Sequence, residues 1–121
     1  MPNNPGDIFI KIDLALSANP GITLFDLAHS LGIDRHSIER SVRIRGGMNF
    51  RDFSKRKRLE RAVALLEAGD YVKQVAAKLG YRSPDSFARF IKASTGLTPR
   101  SIRQKGYSGS MPVAHDPLPF L

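Results

Sequence analysis

Ten arginines and lysines lie between positions 35 and 61: Arg35, Arg40, Arg43, Arg45, Arg51, Lys55, Arg56, Lys57, Arg58 and Arg61. Three acids, Glu39, Asp52 and Glu60, oppose them, so this segment carries +7 of the +8 on the 121-residue chain. Guanidinium and ammonium groups at this one-signed density do not break bonds by themselves. They donate hydrogen bonds to anions, and guanidinium pairs with planar acceptors through two bonds at once. The chemistry on offer is recognition of a polyanion, either nucleic acid or an anionic membrane surface. There is no cysteine, which removes disulfides, thiolate metal sites and cysteine nucleophiles. The three histidines lack the spacing and partners of a metal site, and nothing marks an activated serine or other nucleophile. The expectation is a binding protein with no catalysis and no cofactor. No apolar run approaches the ~18 residues that span a bilayer, and the N-terminus has no signal-peptide pattern. A cytoplasmic chain without a membrane partner is expected.

The elements that must position these cations read as helices throughout. Residues 1–6 are a polar, proline-broken lead-in expected to be flexible. Asp7 is placed to cap a first helix with apolar residues Ile8, Phe9, Ile12, Leu14, Ala15 and Leu16, ended by Asn19-Pro20-Gly21. Thr23 and Asp26 form a capping-box pattern for a helix from Leu24 to Leu31. Gly32 closes that helix, Asp34 caps the next, Ile38 and Val42 make its inner face, and Gly46-Gly47 ends it. A longer helix over residues 50–68 places Leu59, Ala62, Val63 and Leu66 at i, i+3, i+4 and i+7, with its basic residues crowded into the first half. Gly69 is its expected C-cap. Asp70 is expected to cap a helix from Val72 to Leu79, and Gly80 closes it. Ser83-Pro84 is an N-cap and N1 arrangement for a helix with Phe87, Phe90 and Ile91 inward and Gly96 as its stop. Thr98-Pro99 starts a last helix ending near Lys105. The tail, residues 107–121, lacks periodicity and is expected to be disordered.

Part of this pattern occurs twice. At an offset of 48, Leu24, Leu27, Ala28, Leu31 and Gly32 match Val72, Val75, Ala76, Leu79 and Gly80. After one extra residue in the second turn, Ile38, Arg40, Val42, Gly47 and Phe53 match Phe87, Arg89, Ile91, Gly96 and Ile102. Two helix-turn-helix units in tandem are therefore expected: all-α, about seven helices, with subdomains at 7–49 and 69–106 joined by a linker helix at 50–68.

A helix-turn-helix offers its second helix to the major groove of DNA while the first braces it across the backbone. In the first copy His36, Arg40 and Arg43 share the outward face. In the second, Asp85, Ser86 and Arg89 do so, with Lys92 one turn on. Arg40 and Arg89 stand two residues after the inward Ile38 and Phe87, so both copies place at one depth the side chain best suited to guanine O6 and N7. A linker of nineteen residues at ~1.5 Å each spans roughly 28 Å. With helix widths added, this approaches the ~34 Å of one DNA turn, so one chain could occupy two successive major grooves.

The motifs Arg58-Leu59-x-x-Ala62-x-x-Leu65-Leu66, Val75-Ala76-x-x-x-Gly80-Tyr81, Phe87-x-x-x-Ile91-Lys92 and Gly96-x-Thr98-Pro99-x-x-x-Arg103 are similar to those of AraC/XylS-type transcription regulators. The resemblance covers about residues 8–104 and is to their DNA-binding domain. It implies seven helices, two helix-turn-helix units and sequence-specific promoter binding, with the third and sixth helices (here residues 35–45 and 84–94) reading bases. On that basis Arg35, His36, Arg40, Arg43, Arg82, Asp85, Ser86 and Arg89 are expected to face bases. Thr23, Arg45, Arg51, Lys55, Lys57 and Lys92 are expected on phosphates, and Arg58 at the edge of the core. Double-stranded DNA and RNA polymerase are the implied partners, and two reading heads in one chain suit a monomer on DNA. Members of the family often carry a separate sensor or dimerisation domain. Only six or seven residues precede the first helix here, so a small stand-alone regulator or a part of a larger one is expected. Three departures stand out. Val42 and Ile91 replace the family's usual phenylalanines. Gly80-Tyr81-Arg82-Ser83 replaces Gly-Phe-x-Asp. His36 occupies a slot where members vary. The alternative is a basic nucleic-acid-binding or architectural protein acting through charge alone, which would show a steep salt dependence and little sequence preference.

Overall fold

The computed structural model of the chain describes residues 5–107; the expected disorder of residues 108–121 and of residues 1–4 lies outside the described residues. Seven α-helices follow one another without a strand among the described residues. They are α1 (Pro5–Ala18), α2 (Leu24–Leu31), α3 (Arg35–Ser41), α4 (Phe50–Glu67), α5 (Val72–Lys78), α6 (Pro84–Thr95) and α7 (Pro99–Lys105). A π-helical turn, Val42–Gly46, continues α3 directly. The chain divides into two compact units whose boundary falls inside α4, between Lys57 and Arg58.

The first unit closes around Ile8, Ile12, Leu16, Leu27, Ile33, Ile38, Val42, Met48 and Phe53. Residue 8 and its i+4 and i+8 partners on α1 supply one wall, as an amphipathic stripe must. Leu14, expected inward, is instead 66% exposed, together with Ile10 at 59%. Four residues apart, they share the opposite face of α1. The helix also starts earlier than its sequence signals suggest. Pro5 and Gly6 are already helical, and Asp7 sits within the first turn, where a carboxylate complements the helix dipole. The Asn19 side chain accepts from the Gly21 N–H at 3.3 Å, and the buried Ser54 hydroxyl of α4 donates to the Pro20 carbonyl at 3.1 Å. That pair of bonds fixes the turn between α1 and α2. The wide π turn passes directly over the Phe9 and Phe53 rings, whose centroids are 5.3 Å apart. A β-carbon on Gly46 would meet Phe9 at 3.4 Å and Phe53 at 3.5 Å, and Gly47 then reverses the chain at φ 74°.

The second unit closes around Leu59, Ala62, Val63, Leu66, Val75, Ala76, Phe87, Ile91 and Ile102. Tyr81 lies against Phe87 and Phe90, with ring centroids 5.4 and 5.9 Å away. Burying Phe87 completely stabilises by about 1.5–3 kcal/mol. Arg103 on α7 donates from Nε to the Gly69 carbonyl at 3.1 Å and lies 4.1 Å above the Tyr71 ring. Tyr107, expected to begin a disordered tail, donates its N–H to the Glu67 carboxylate at 2.7 Å. These contacts tie α7 and the residues after it to the end of α4. One cap differs from expectation. Asp70 pairs with Lys78 at 2.8 Å, and the N-cap of α5 is Tyr71, whose N–H donates to Gln74 Oε1 at 2.9 Å. The lysine takes the carboxylate that would have capped, and the glutamine side chain serves the free N–H from the other direction.

The internal repeat is also a repeat of hydrogen bonds. Ile33 N–H donates to the Ala28 carbonyl at 3.1 Å, and Tyr81 N–H to that of Ala76 at 2.9 Å. Asp34 accepts from the Ser37 N–H at 3.1 Å, and the Ser83 hydroxyl oxygen from the Ser86 N–H at 3.2 Å. Gly47 N–H reaches the Arg43 carbonyl at 3.1 Å, and Gly96 N–H that of Lys92 at 2.8 Å. The turn, and the bonds at the start and end of each second helix, are therefore built twice. Val42 and Ile91, smaller than the phenylalanine of the resemblance, are both fully buried. The aromatic volume near them comes from Phe9 and Phe53 in one unit and from Tyr81, Phe87 and Phe90 in the other.

Candidate nucleic-acid interface

In the first unit α1 packs behind α3 and the π turn, and Ile38 and Val42 anchor the recognition segment in the core. Their burial sets the rotation of the helix, and Arg35, His36, Arg40, Arg43 and Arg45 are left exposed. Asp34 holds the helix start through two bonds, from the Ser37 hydroxyl at 2.7 Å and from its N–H. The Ser37 hydroxyl, followed by the Ser37 N–H, keeps the Asp34 carboxyl below its ordinary pKa. Arg35 and His36 line one open depression of about 450 Å³ with Leu24, Asp34 and Glu39. Ile44 in the π turn is 57% exposed, an apolar side chain two residues from the buried Val42 and so on the outward side of the turn.

Among the residues expected on phosphates, Arg51 and Lys55 are exposed on α4. Lys57 is not free: its ammonium pairs with Asp13 at 2.8 Å, and its side chain is only 13% exposed. The Thr23 hydroxyl accepts from the Asp26 N–H at 3.0 Å and serves as the cap of α2.

In the second unit Phe87 and Ile91 fix α6 from inside, leaving Asp85 and Arg89 exposed, with Arg82 exposed in the turn before the helix. Ser86 is half-buried, and its hydroxyl donates to the Ser83 carbonyl at 3.0 Å, so it works within the cap. Lys92 turns its ammonium onto the Gly96 carbonyl at 3.0 Å, satisfying one of the orphan carbonyls at the helix end. Burial pushes the Tyr81 hydroxyl pKa up, and the neighbouring Arg58 guanidinium pulls it the other way. Arg58 thus sits at the edge of the core beside a ring that packs on α6. Glu39, outside the expected base-facing set, is an exposed acid between Arg35 and Arg43 on the helical net.

An all-α fold with two helix-turn-helix units, each offering an exposed, arginine-bearing second helix, defines a class of DNA-binding domains. Residues 27–105 match the helix-turn-helix domain family. The chain is 26% identical over 114 residues to a probable transcription factor, PqrA, from Proteus vulgaris, covering 93% of this chain and 91% of that one. Its fold matches that of a DNA-binding transcriptional dual regulator from Escherichia coli K-12, with a TM-score of 0.68 at 21% identity over 88% of this chain and 94% of the other. It also matches the DNA-binding domain of AdpA, a global transcriptional factor solved in complex with a target DNA. There the TM-score is 0.66 at 25% identity, over 84% of this chain and 92% of that one. The chain belongs to the AraC-type helix-turn-helix family. It is a sequence-specific DNA-binding transcription regulator, and its partner is double-stranded DNA. The family and the fold are those of regulators rather than of enzymes. Among the described residues no helix is long and apolar enough to cross a membrane.

Proposed function

We propose that this chain docks on promoter DNA in the cytoplasm as a monomer, with α3 and α6 entering two successive major grooves. Arg40 and Arg89 each pair with a guanine through O6 and N7. Arg35, His36, Arg43, Arg82, Asp85 and Ser86 complete the base-facing set, and Thr23, Arg45, Arg51, Lys55 and Lys92 grip phosphates. Lys57 joins them only by leaving Asp13. Once docked, the chain meets RNA polymerase. The observation that carries this reading is the duplicated set of hydrogen bonds at turn, cap and helix end, which presents an exposed arginine at the same position of each second helix. A charge-only binder needs no such matched framework.

The test is competition at about 150 mM salt between a duplex recovered from a random pool and its scrambled counterpart. The expected result is a preference of roughly 10³-fold or more for the recovered duplex. Equal affinities that fall together as salt rises would leave charge as the whole of the binding.

A further inference from the structure

We propose that Glu39 is a specificity determinant whose carboxylate accepts a hydrogen bond from the exocyclic N4 amine of one cytosine in the half-site under α3. The proposal rests on the reading of α3 as a base-contacting helix. Glu39 lies four residues after Arg35 and four before Arg43, positions at which helical neighbours form ion pairs. It pairs with neither: among the described residues its side chain makes no hydrogen bond or ion pair. Other acids of this unit have evident work. Asp34 is spent on the α3 cap, Asp13 holds Lys57, and Asp7, Asp26 and Asp52 stand in the first turns of their helices. Glu39 is the fifth residue of α3, past the turn where the helix dipole rewards negative charge.

On a surface that only grips phosphates, a free carboxylate among Arg35, Arg40, Arg43 and Arg45 repels the ligand and weakens binding. It is an asset only where it meets a donor. An ionised carboxylate accepts and cannot donate. In the major groove the bases offer two donors, adenine N6 and cytosine N4; adenine pairs its amine with the N7 acceptor and suits a carboxamide, whereas cytosine suits a carboxylate. Glu39 shares its depression with Arg35 and His36, so a base edge that meets those two side chains comes within its reach. The matching position of the second unit is Ala88, which has no acceptor, so the cytosine requirement belongs to one half of the site.

The experiment is parallel selection from a random duplex pool with the full chain, Glu39→Ala and Glu39→Gln, each first matched to the original chain by circular dichroism. The original chain is expected to recover a fixed cytosine at one position of one half-site. Glu39→Ala is expected to keep the rest of the motif and lose discrimination at that position by roughly 5- to 150-fold, and Glu39→Gln to turn it toward adenine. If both variants recover the original motif unchanged while affinity for every duplex rises together, Glu39 merely repels phosphate and the proposal is overturned. If the original chain enriches nothing, the base-reading function falls with it, a result distinct from the previous one.

Discussion

In the first unit the recognition segment is seven α-helical residues followed by a π turn, and it exposes four arginines and a histidine. In the second it is twelve residues of regular α-helix, capped by Ser83 and begun at Pro84, whose one arginine, Arg89, is exposed; the lysine is folded back on the helix end. The hydrogen bonds of turn and cap are the same in both. The first unit therefore spends its helix on presenting charge. In the second, Phe87 and Phe90 of the helix lie tilted against the Tyr81 ring of the turn before it. Duplication of a framework does not require duplication of its role: the core positions must repeat to keep the turn, while the outward positions are free to diverge.

The sharpest way to break that contrast is in the cores. Phe87→Ala is expected to cost about 3–5 kcal/mol and Ile38→Ala about 2–5 kcal/mol, measured by urea denaturation followed by circular dichroism. A cost below about 1 kcal/mol for Phe87→Ala would show that the aromatic cluster does not hold the second unit together. On DNA, Arg40→Ala and Arg89→Ala are each expected to cost about 1–3 kcal/mol on a cognate duplex and little on a scrambled one, read by fluorescence anisotropy. Equal losses on both duplexes would make them phosphate contacts.

The two caps accept the same amide bond through different side chains, a carboxylate at Asp34 and a hydroxyl at Ser83, which gives a smaller effect with a pH signature. Ser83→Ala removes a cap worth about 1 kcal/mol, and a serine has no charge to titrate in the acid range. The Asp34 carboxyl has a lowered folded-state pKa, set first by the Ser37 hydroxyl and then by its N–H. A depressed carboxyl contributes stability that is fully present above its unfolded value and is lost as pH falls through the folded one. Acid titration followed at amides of α3 and α6 by NMR should therefore loosen the start of α3, an effect that Asp34→Asn abolishes. Identical acid responses at both helix starts would contradict the assignment. The smallest effects are expected on α4. Lys55→Ala should reduce the slope of log K against log salt by about 1. Lys57→Ala should reduce it less, because that ammonium already serves Asp13. Equal slopes would place both lysines on phosphates.

Much of the fold was legible because its signals are local. Thr23, Asp34, Ser83 and Thr98 cap the helices they precede, and Gly32, Gly47, Gly69, Gly80 and Gly96 all take positive φ. What was not legible depends on tertiary competition. Asp70 reads as a cap until Lys78, eight residues on, claims it. The π turn leaves no mark in a 3.6-residue period; its last residue, Gly46, passes over the Phe9 and Phe53 rings, and Gly47 then takes a positive φ. Leu14 fits the apolar pattern of α1, yet the helix has only one core-facing stripe and Ile8, Ile12 and Leu16 fill it. The exposure of the arginines on α3 and α6 follows from the burial of Ile38, Val42, Phe87 and Ile91, so it could be read from periodicity. That Lys57, Lys92 and Ser86 already have internal partners could not, because each partner is set by side-chain reach within a turn or between helices.

If both helix-turn-helix units of one chain read bases, the bound DNA must carry two blocks of sequence information. Selection of bound sequences from a random duplex pool with the purified chain at about 150 mM salt tests it most directly. The predicted result is a motif of two conserved blocks whose centres lie about one helical turn apart. A single block would contradict the claim, leaving one unit to read and the other to hold backbone.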